Sequence, residues 1–348
     1  MGGSNFIFYF VIDRRQLHMS LTVVEQNSVG VDQGFDELIL PLLDLTGFTV
    51  NYFQILNDHN TGKLIVDDLA ELRRWSTGLL NIQGRKINEV NGTVHIIGKH
   101  EAYANIPMQM STRAPNTQSI PKWCRNYLVA PIGRRFVALD IGSAEPRALA
   151  GVADDEKLRM AISEGLYESV GNSLLEHTGI VIPRKLVKVL LLGFLYGQSS
   201  KGVGNTLSEM KLTNELTWEV FLALQNLFPK SRSLLERVSK MPVAYLQGRP
   251  SMIDVSDKRP NQRRSYLASS IIAALVKRWA TRLIELNPEI WIHEIPRDAL
   301  WLSIPESETD ETVLNQGILA LKQAINDCKF QFPIDEHVMT IKNFGGQV

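Results

Sequence analysis

Two hydrophobic periods run through the second half of this chain. From Arg184 to Gly197, RKLVKVLLLGFLYG, the residues Arg184, Lys188, Leu192 and Tyr196 fall four apart and share one face of a helix. Leu186, Val187, Val189, Leu190 and Phe194 give that helix an apolar side to set on a core. The same period predicts helices over Ala144 to Val152, Asp154 to Gly165, Thr213 to Phe228, Ser231 to Lys240, Gln262 to Leu286 and Glu311 to Cys328, with Pro288 ending the long one. Strand patterns cover Thr93 to Ile97, Arg135 to Asp140 and His337 to Ile341. A hairpin is predicted around Gly248, from Val243 to Val255, and two short strands over Glu289 to Ile304 meet at Pro296-Arg297-Asp298. Nearer the N-terminus, Phe35 to Leu45 and Val66 to Leu80 are helical in pattern, and Asn57 to Lys63 is turn-rich. Prolines 107, 115, 121 and 131 forbid a long helix over residues 106–131, leaving a loop there, ordered or disordered. The prediction is an α/β chain whose antiparallel sheet carries carboxylates and is surrounded by helices. No internal repeat or low-complexity segment interrupts it.

Composition narrows the class without naming it. At 348 residues, 44% hydrophobic and 21% charged, the chain can bury a large core or two joined ones. Lys+Arg and Asp+Glu both count 37, so net charge advertises no nucleic-acid partner. Local charge is less even: Lys122, Arg125, Arg134 and Arg135 cluster, as do Lys258, Arg259, Arg263 and Arg264. Either cluster could meet phosphates, although solvated surface is the commoner fate of such groups. Two cysteines, Cys124 and Cys328, make neither a disulfide framework nor a zinc site and point to a reducing, intracellular compartment. The apolar run Phe6 to Ile12 lacks a basic lead-in and is too short to span a bilayer, so no membrane is expected as a partner. The smoother start after Met19 suggests that the first eighteen residues are dispensable or extraneous.

Chemistry is suggested at two places. Arg184 offers a bidentate fork and Lys188 a compact charge one turn below it, a surface suited to a triphosphate. Taken alone, such a pair is more often a solvated helix face. Asp140 ends an apolar strand and Asp298 sits at the join of two others, where a carboxylate is costly unless something neutralises it. If both strands belong to one sheet, the aspartates can share divalent cations about 3.5–4 Å apart, the usual clamp for displacement at phosphorus. Equally, each aspartate could cap a turn. Lookalikes fail: Gly197-Gln-Ser-Ser-Lys-Gly202 has Val203 and Gly204 where a phosphate loop needs Lys and Ser or Thr. His293-Glu294 opens like a zinc-protease helix, but Arg297 stands in the second histidine's place.

Asp140-Ile-Gly-Ser-Ala-Glu145-Pro-Arg147 followed by small apolar residues, Arg184-x3-Lys188-x7-Tyr196-Gly197, and Ser111-Thr-Arg113-Ala-Pro115-Asn116-Thr-Gln118-Ser-Ile120-Pro121 occur in this order. Together they resemble the first palm motif, the finger-helix motif and the Pro-Asn-x-Gln-x-Ile-Pro segment of the family A DNA polymerases. The likeness runs from about residue 85 to the C-terminus. It implies a DNA-directed DNA polymerase with a right-hand palm and fingers. In that arrangement Asp140, Asp298 and the Ile141 backbone carbonyl would bind two Mg²⁺ ions, with Mn²⁺ a substitute. Arg184 and Lys188 would hold the triphosphate, Lys188 also protonating the departing pyrophosphate. Leu192, Tyr196 and Glu145 would line the nucleotide pocket, the last two excluding a ribose 2′-hydroxyl. Arg113, Asn116, Gln118, Arg263 and Arg264 would contact primer–template DNA. The implied parts are a reduced thumb or accessory segment (1–105), palm (106–165), fingers (166–255) and palm again (256–348).

This chain departs from the pattern in several places. The third palm motif, usually His-Asp-Glu, reads Arg297-Asp298-Ala299. Leu192 replaces an aromatic residue, Gln109 replaces an arginine, Leu166-Tyr-Glu168 replaces an Asp-x-His, and no glutamine appears from Ala268 to Ser270. Only about 110 residues precede the polymerase-like region, too few for an exonuclease domain plus a full thumb. Proofreading by this chain alone is therefore not expected, and a second polypeptide is a candidate partner. The resemblance implies dNTPs and primer–template DNA as substrates, in a bacterial cytoplasm, a phage-infected cell or an organelle. The alternative is a catalytically weakened polymerase-fold module that grips primer–template DNA or a replication partner.

Overall fold

Along Arg134–Ile141, side chains alternate between two environments. Val137, Leu139 and Ile141 are buried on one face, while Phe136, Ala138 and Asp140 point to the other. In the computed structural model, residues 116–244 and 253–345 are described without a break. Before them come 5–11, 20–26, 48–51, 93–96, 99–102 and 105–113, with isolated positions between 39 and 63. The helical pattern of Val66 to Leu80, most of Phe35 to Leu45, and the Gly248 turn lie outside the described residues. The elements that build the site are, in chain order, strands β1 (Lys99–Glu101), β2 (Ser111–Arg113), β3 (Arg134–Ile141), β4 (Trp291–Glu294), β5 (Ala299–Pro305) and β6 (Met339–Phe344). The helices are α1 (Ala144–Val152), α2 (Leu166–Thr178), α3 (Arg184–Leu195), α4 (Asn214–Leu227), α5 (Pro229–Lys240), α6 (Pro260–Leu286) and α7 (Asp310–Cys328).

The sheet runs β4-β5-β3-β6 with every neighbour antiparallel. Its register sets Ala299 and Thr340 on either side of Asp140, and Trp301 and Lys342 on either side of Ala138. Val137, Leu139, Leu300 and Leu302 pack into one core with Leu275, Trp279 and Ala280 of α6 and Ala320 and Leu321 of α7. Trp279 donates its indole N–H to the Gly317 carbonyl at 2.9 Å, closing the contact between those helices. Phe136 and Trp301, on the opposite face, join a smaller core with Phe48, Val50, Ile96, Ile120 and Leu128. That second core ends before Asp140, which stays half-buried.

Pro183 is the N-cap of α3, its carbonyl accepting from the Leu186 and Val187 N–H groups at 2.8 and 3.0 Å. The end is a Schellman motif: Gln198 N–H reaches the Gly193 carbonyl at 2.8 Å and Gly197 N–H the Phe194 carbonyl at 2.9 Å. Gly197 takes φ +89°, and a β-carbon there would run into the Arg264 guanidinium. The buried side of α3 is Val187, Leu190, Leu191, Phe194 and Leu195. Val189, expected among them, is 48% exposed, because the helix is gripped from a direction about one residue further round.

Other differences from the sequence pattern are local. Within 106–131, the described residues form β2, two 3-10 turns (Thr117–Ser119, Cys124–Tyr127) and a strand (Leu128–Val129). Helix α2 was not signalled by periodicity, since Glu168, Ser169, Asn172 and Ser173 dilute its apolar stripe. Asp155 caps a helix over Glu156–Ser163, accepting from Leu158 N–H at 3.3 Å. The last strand starts two residues and ends three residues later than its pattern suggested. Among the described residues no helix is long and apolar enough to cross a membrane.

The chain ahead of β6 clamps the helix that follows β3. Gly142 N–H donates to Val338 O at 2.9 Å. The 2%-exposed Arg147 forks onto Asp335 at 2.8 and 2.9 Å and donates to the Gly142 and Pro333 carbonyls at 2.7 and 2.9 Å. At Gly151 an added β-carbon would sit 1.7 Å from the Gln331 carbonyl oxygen, backbone against backbone. Gly151→Ala should therefore cost on the order of 2–3 kcal/mol in denaturant unfolding. Gly171→Ala in α2, where the nearest atom is Val187 Cγ2 at 3.7 Å, should be neutral or stabilising by up to about 1 kcal/mol.

Candidate active site

Asp140 and Asp298 are brought together by the β3–β5 pairing. Ile141 N–H donates to the Asp298 carbonyl at 3.1 Å, and Ala299, the next residue, lies opposite Asp140. The turn into β5 passes through Arg297 at φ +58°, a left-handed conformation that costs a long side chain about 1 kcal/mol. Ser143, also left-handed at φ +53°, occupies the N-cap position of α1, so Asp140 is not the cap of that helix. Ile141, whose carbonyl the sequence nominated as a ligand, is the last residue of β3 before this turn.

The two carboxylates are half-buried and electrostatically costly. Burial pushes Asp298 up to about 6, with the negative charge of Asp140 adding to the effect, Glu145 adding further and Arg297 opposing. Burial also raises Asp140, against the lowering influence of Lys342 and Lys188. Among the described residues no side chain forms an ion pair or hydrogen bond with either group. Neither is there a cluster of three or more His, Cys, Asp or Glu side chains able to hold a metal. What exists is a pair of carboxylates short of positive charge. This suits Mg²⁺, which takes one or two carboxylates and completes its shell with water and phosphate oxygens.

Of the cations on α3, Lys188 bears on this pair. Lys188 acts on Asp140, and its ammonium lies 5.7 Å from the ring centroid of Tyr167. The Arg184 guanidinium lies 5.2 Å from the same ring and donates to Glu168, whose carboxyl it holds below the ordinary value. Arg184, Lys188 and Glu168 are all exposed; Leu192, one turn on, is half-buried. The Tyr196 hydroxyl is enclosed and has no well-aligned partner. Burial first, then the neighbouring Glu145 carboxylate, push it well above the usual tyrosine range. Behind α3, a cleft of about 330 Å³ is lined by Phe194, Gln198, Phe221, Arg232, Glu236 and Arg264.

The expected DNA contacts divide. Arg113 and Asn116 are exposed, Arg113 reaching Glu101 at 3.0 Å. Gln118 points inward, donating to the Ile295 carbonyl at 3.0 Å and to Glu294 at 3.4 Å. Arg263 is spent on backbone carbonyls of Lys258, Met241 and Ser256 at 2.9, 3.1 and 2.7 Å. Arg264 lies against Gly197 at the end of α3. Sequence reasoning missed Tyr167, Lys342 and Glu294. Tyr167 and Lys342 carry no motif signal; Glu294, charged in an apolar strand, was weighed only as half of a zinc motif.

No protein-family model matches the chain. A DNA polymerase I of Chloroflexus aurantiacus is 32% identical over 125 residues, covering 32% of this chain and 13% of that protein. Among solved structures, the POL domain of Pol1 from M. smegmatis, in complex with DNA primer-template and dNTP, superposes with a TM-score of 0.63 at 18% identity. It covers 79% of this chain and 51% of that one. The chain thus spans about half of the solved relative and a small part of the curated one.

The raised Asp298 has a stability consequence of definite sign. A folded value near 6 against an unfolded value near 3.8 means that folding favours the protonated form. That contribution is complete below pH 4 and lost as pH rises through 6. In metal-free buffer at pH 7.5, Asp298→Asn should be more stable than the parent by on the order of 1–2 kcal/mol, after allowance for solvent screening. The advantage should shrink below pH 5 in thermal melts across that range.

Proposed function

We propose that this chain, which has the fold of the polymerase domain of family A DNA polymerases and shares sequence with a DNA polymerase I over part of its length, is a DNA-directed DNA polymerase. It would add deoxynucleotides to a primer 3′ end. The observation that carries this reading is the pair of under-neutralised carboxylates, Asp140 on β3 and Asp298 in the turn before β5, with Lys188 of α3 bearing on Asp140. Residues 106–165 and 256–348 would serve as palm, 166–255 as fingers, and 1–105 as a reduced thumb or accessory part.

Asp140, Asp298 and the Ile141 carbonyl would hold two Mg²⁺ ions. Such ions, when bound, supply Lewis-acid activation of the primer hydroxyl and neutralise charge on the phosphoryl group. The protein's own work is positioning and charge placement, the main requirements of phosphoryl transfer. Arg184 would exchange Glu168 for the triphosphate, a cheap substitution because that exposed ion pair contributes little. Lys188, stacked near Tyr167 and already turned toward Asp140, would brace the same phosphates and deliver a proton to pyrophosphate as it leaves. Tyr196 and Glu145, packed together, would occupy the space a ribose 2′-hydroxyl needs.

One observation favours a weaker activity. Ala299 is buried where the resembled motif carries a glutamate, so that position supplies no carboxylate, and no metal-holding group of three or more forms among the described residues. Primer extension with purified protein, Mg²⁺ and dNTPs decides. Extension should fall on the order of 10³-fold or more in Asp140→Ala and in Asp298→Ala, equivalent to about 4 kcal/mol of transition-state stabilisation. Lys188→Ala should lose about 10²-fold. Glu145→Ala should incorporate ribonucleotides more readily than the parent. A parent protein that binds primer–template DNA tightly yet extends nothing would leave the binding-module reading in place.

A further inference from the structure

A second carboxylate site lies one strand beyond the aspartate pair. Glu294, at the end of β4, is wholly buried. Its Oε2 accepts from His100 Nε2 at 3.3 Å, from Thr112 Oγ1 at 3.0 Å and from Thr117 Oγ1. Its Oε1 accepts from the Ile295 N–H at 3.0 Å and from Gln118 Nε2 at 3.4 Å. The side-chain donors come from β1, β2 and the 3-10 turn over Thr117–Ser119, all distant in sequence from β4. Burial acts to raise the Glu294 carboxyl, but the bonds from His100, Thr117 and Ile295 hold it below the ordinary value, so it remains an acceptor throughout.

Sheet register shows what this knot positions. The β4–β5 pairing shifts between Ile292 and Glu294, setting Glu294 opposite Trp301. Trp301 faces Ala138, and Ala138 faces Lys342. Residues opposite one another share a face, so Glu294 lies on the face that bears Asp140, one row away along the strands. His100, Thr112, Thr117 and Gln118, and with them β1, β2 and the 3-10 turn, are therefore docked on the same side of the sheet as the aspartate pair. On its outer surface it presents Arg113 and Asn116. Stability alone does not require such a device. Buried charges replaced by well-packed apolar groups are often neutral or better, and their best-attested service is to fix one arrangement among several.

We propose that Glu294 is a positioning residue: it locks residues 99–119 to the strand that leads into Asp298, holding Arg113 and Asn116 in register to grip the primer–template duplex. This rests on the polymerase reading above. Glu294→Gln keeps the volume but turns one acceptor into a donor that faces donors. Thr112→Val and Thr117→Val each remove a single bond and serve if the glutamine variant does not fold. Three measurements separate the outcomes: amide hydrogen exchange, duplex binding by fluorescence anisotropy without nucleotide, and steady-state extension with KM for DNA and for dNTP resolved.

Glu294→Gln should speed exchange across 99–101 and 111–119 while leaving α4 protected. It should weaken duplex binding and raise KM for DNA about tenfold, with KM for dNTP within about twofold of the parent. The valine variants should shift the same quantities in the same direction by less. Loosening of 99–119 with duplex affinity unchanged would overturn the proposal, as would a uniform loss of kcat and both KM values together with exchange protection in α4. Should the parent bind duplex but fail to extend it, the polymerase reading fails, and the exchange and anisotropy measurements still decide the role of Glu294.

Discussion

Two like charges on neighbouring strands, half-removed from water, are the constraint around which this molecule is arranged. Asp140 and Asp298 repel one another across the β3–β5 pairing, and burial keeps water from relieving them. Everything nearby bears on that tension. The core under Val137 and Leu139 makes β3 rigid, so the strands cannot part to separate the charges. Lys188 approaches from α3, Lys342 from β6 and Arg297 from the turn itself, each offsetting part of the repulsion without closing on either carboxylate. The site is poised to accept cations, as an under-neutralised pair of negative charges in a fixed frame must be.

Much of this frame was legible in the sequence because it rests on local rules. The alternation of Arg134 to Ile141, the stop at Gly197, the capping residues and Pro288 each dictate an element through its own dihedrals and its own apolar period. What sequence could not convey were relations settled by register. Nothing in the string indicates that Glu294 sits in one row with Trp301, Ala138 and Lys342, because a bulge reset the pairing. Nor could it reveal that Tyr167 lies under both Arg184 and Lys188, since α2 has too many polar positions to declare itself a helix. Gln118 shows the same limit from the other side: its motif is plain, yet its amide turns inward to Ile295 and Glu294.

The departures from the resembled pattern form a consistent set. Where that pattern has histidine and glutamate around the central aspartate, this chain has an exposed Arg297 and a buried Ala299. Negative charge has been taken from the pair and positive charge added at its margin, with Lys342 contributing on the far side of β3. Tyr167 and Glu168 in turn give Arg184 and Lys188 a resting place without a phosphate present. The two cations are thereby partly held in place, so less side-chain entropy is left to lose when an anion arrives.

The order of strands has an outcome during synthesis. The neighbours of β3 in the sheet are β5 and β6, so the strand bearing Asp140 waits for partners made more than 150 residues later. Until β6 leaves the ribosome, one edge of β3 is bare, and the buried Arg147 lacks Asp335, its counter-charge. Loop closure over such spans is slow, and the half-made sheet offers an open edge to other chains in the meantime. A nascent or C-terminally clipped chain would consequently be sticky as well as inert, a natural client for chaperones.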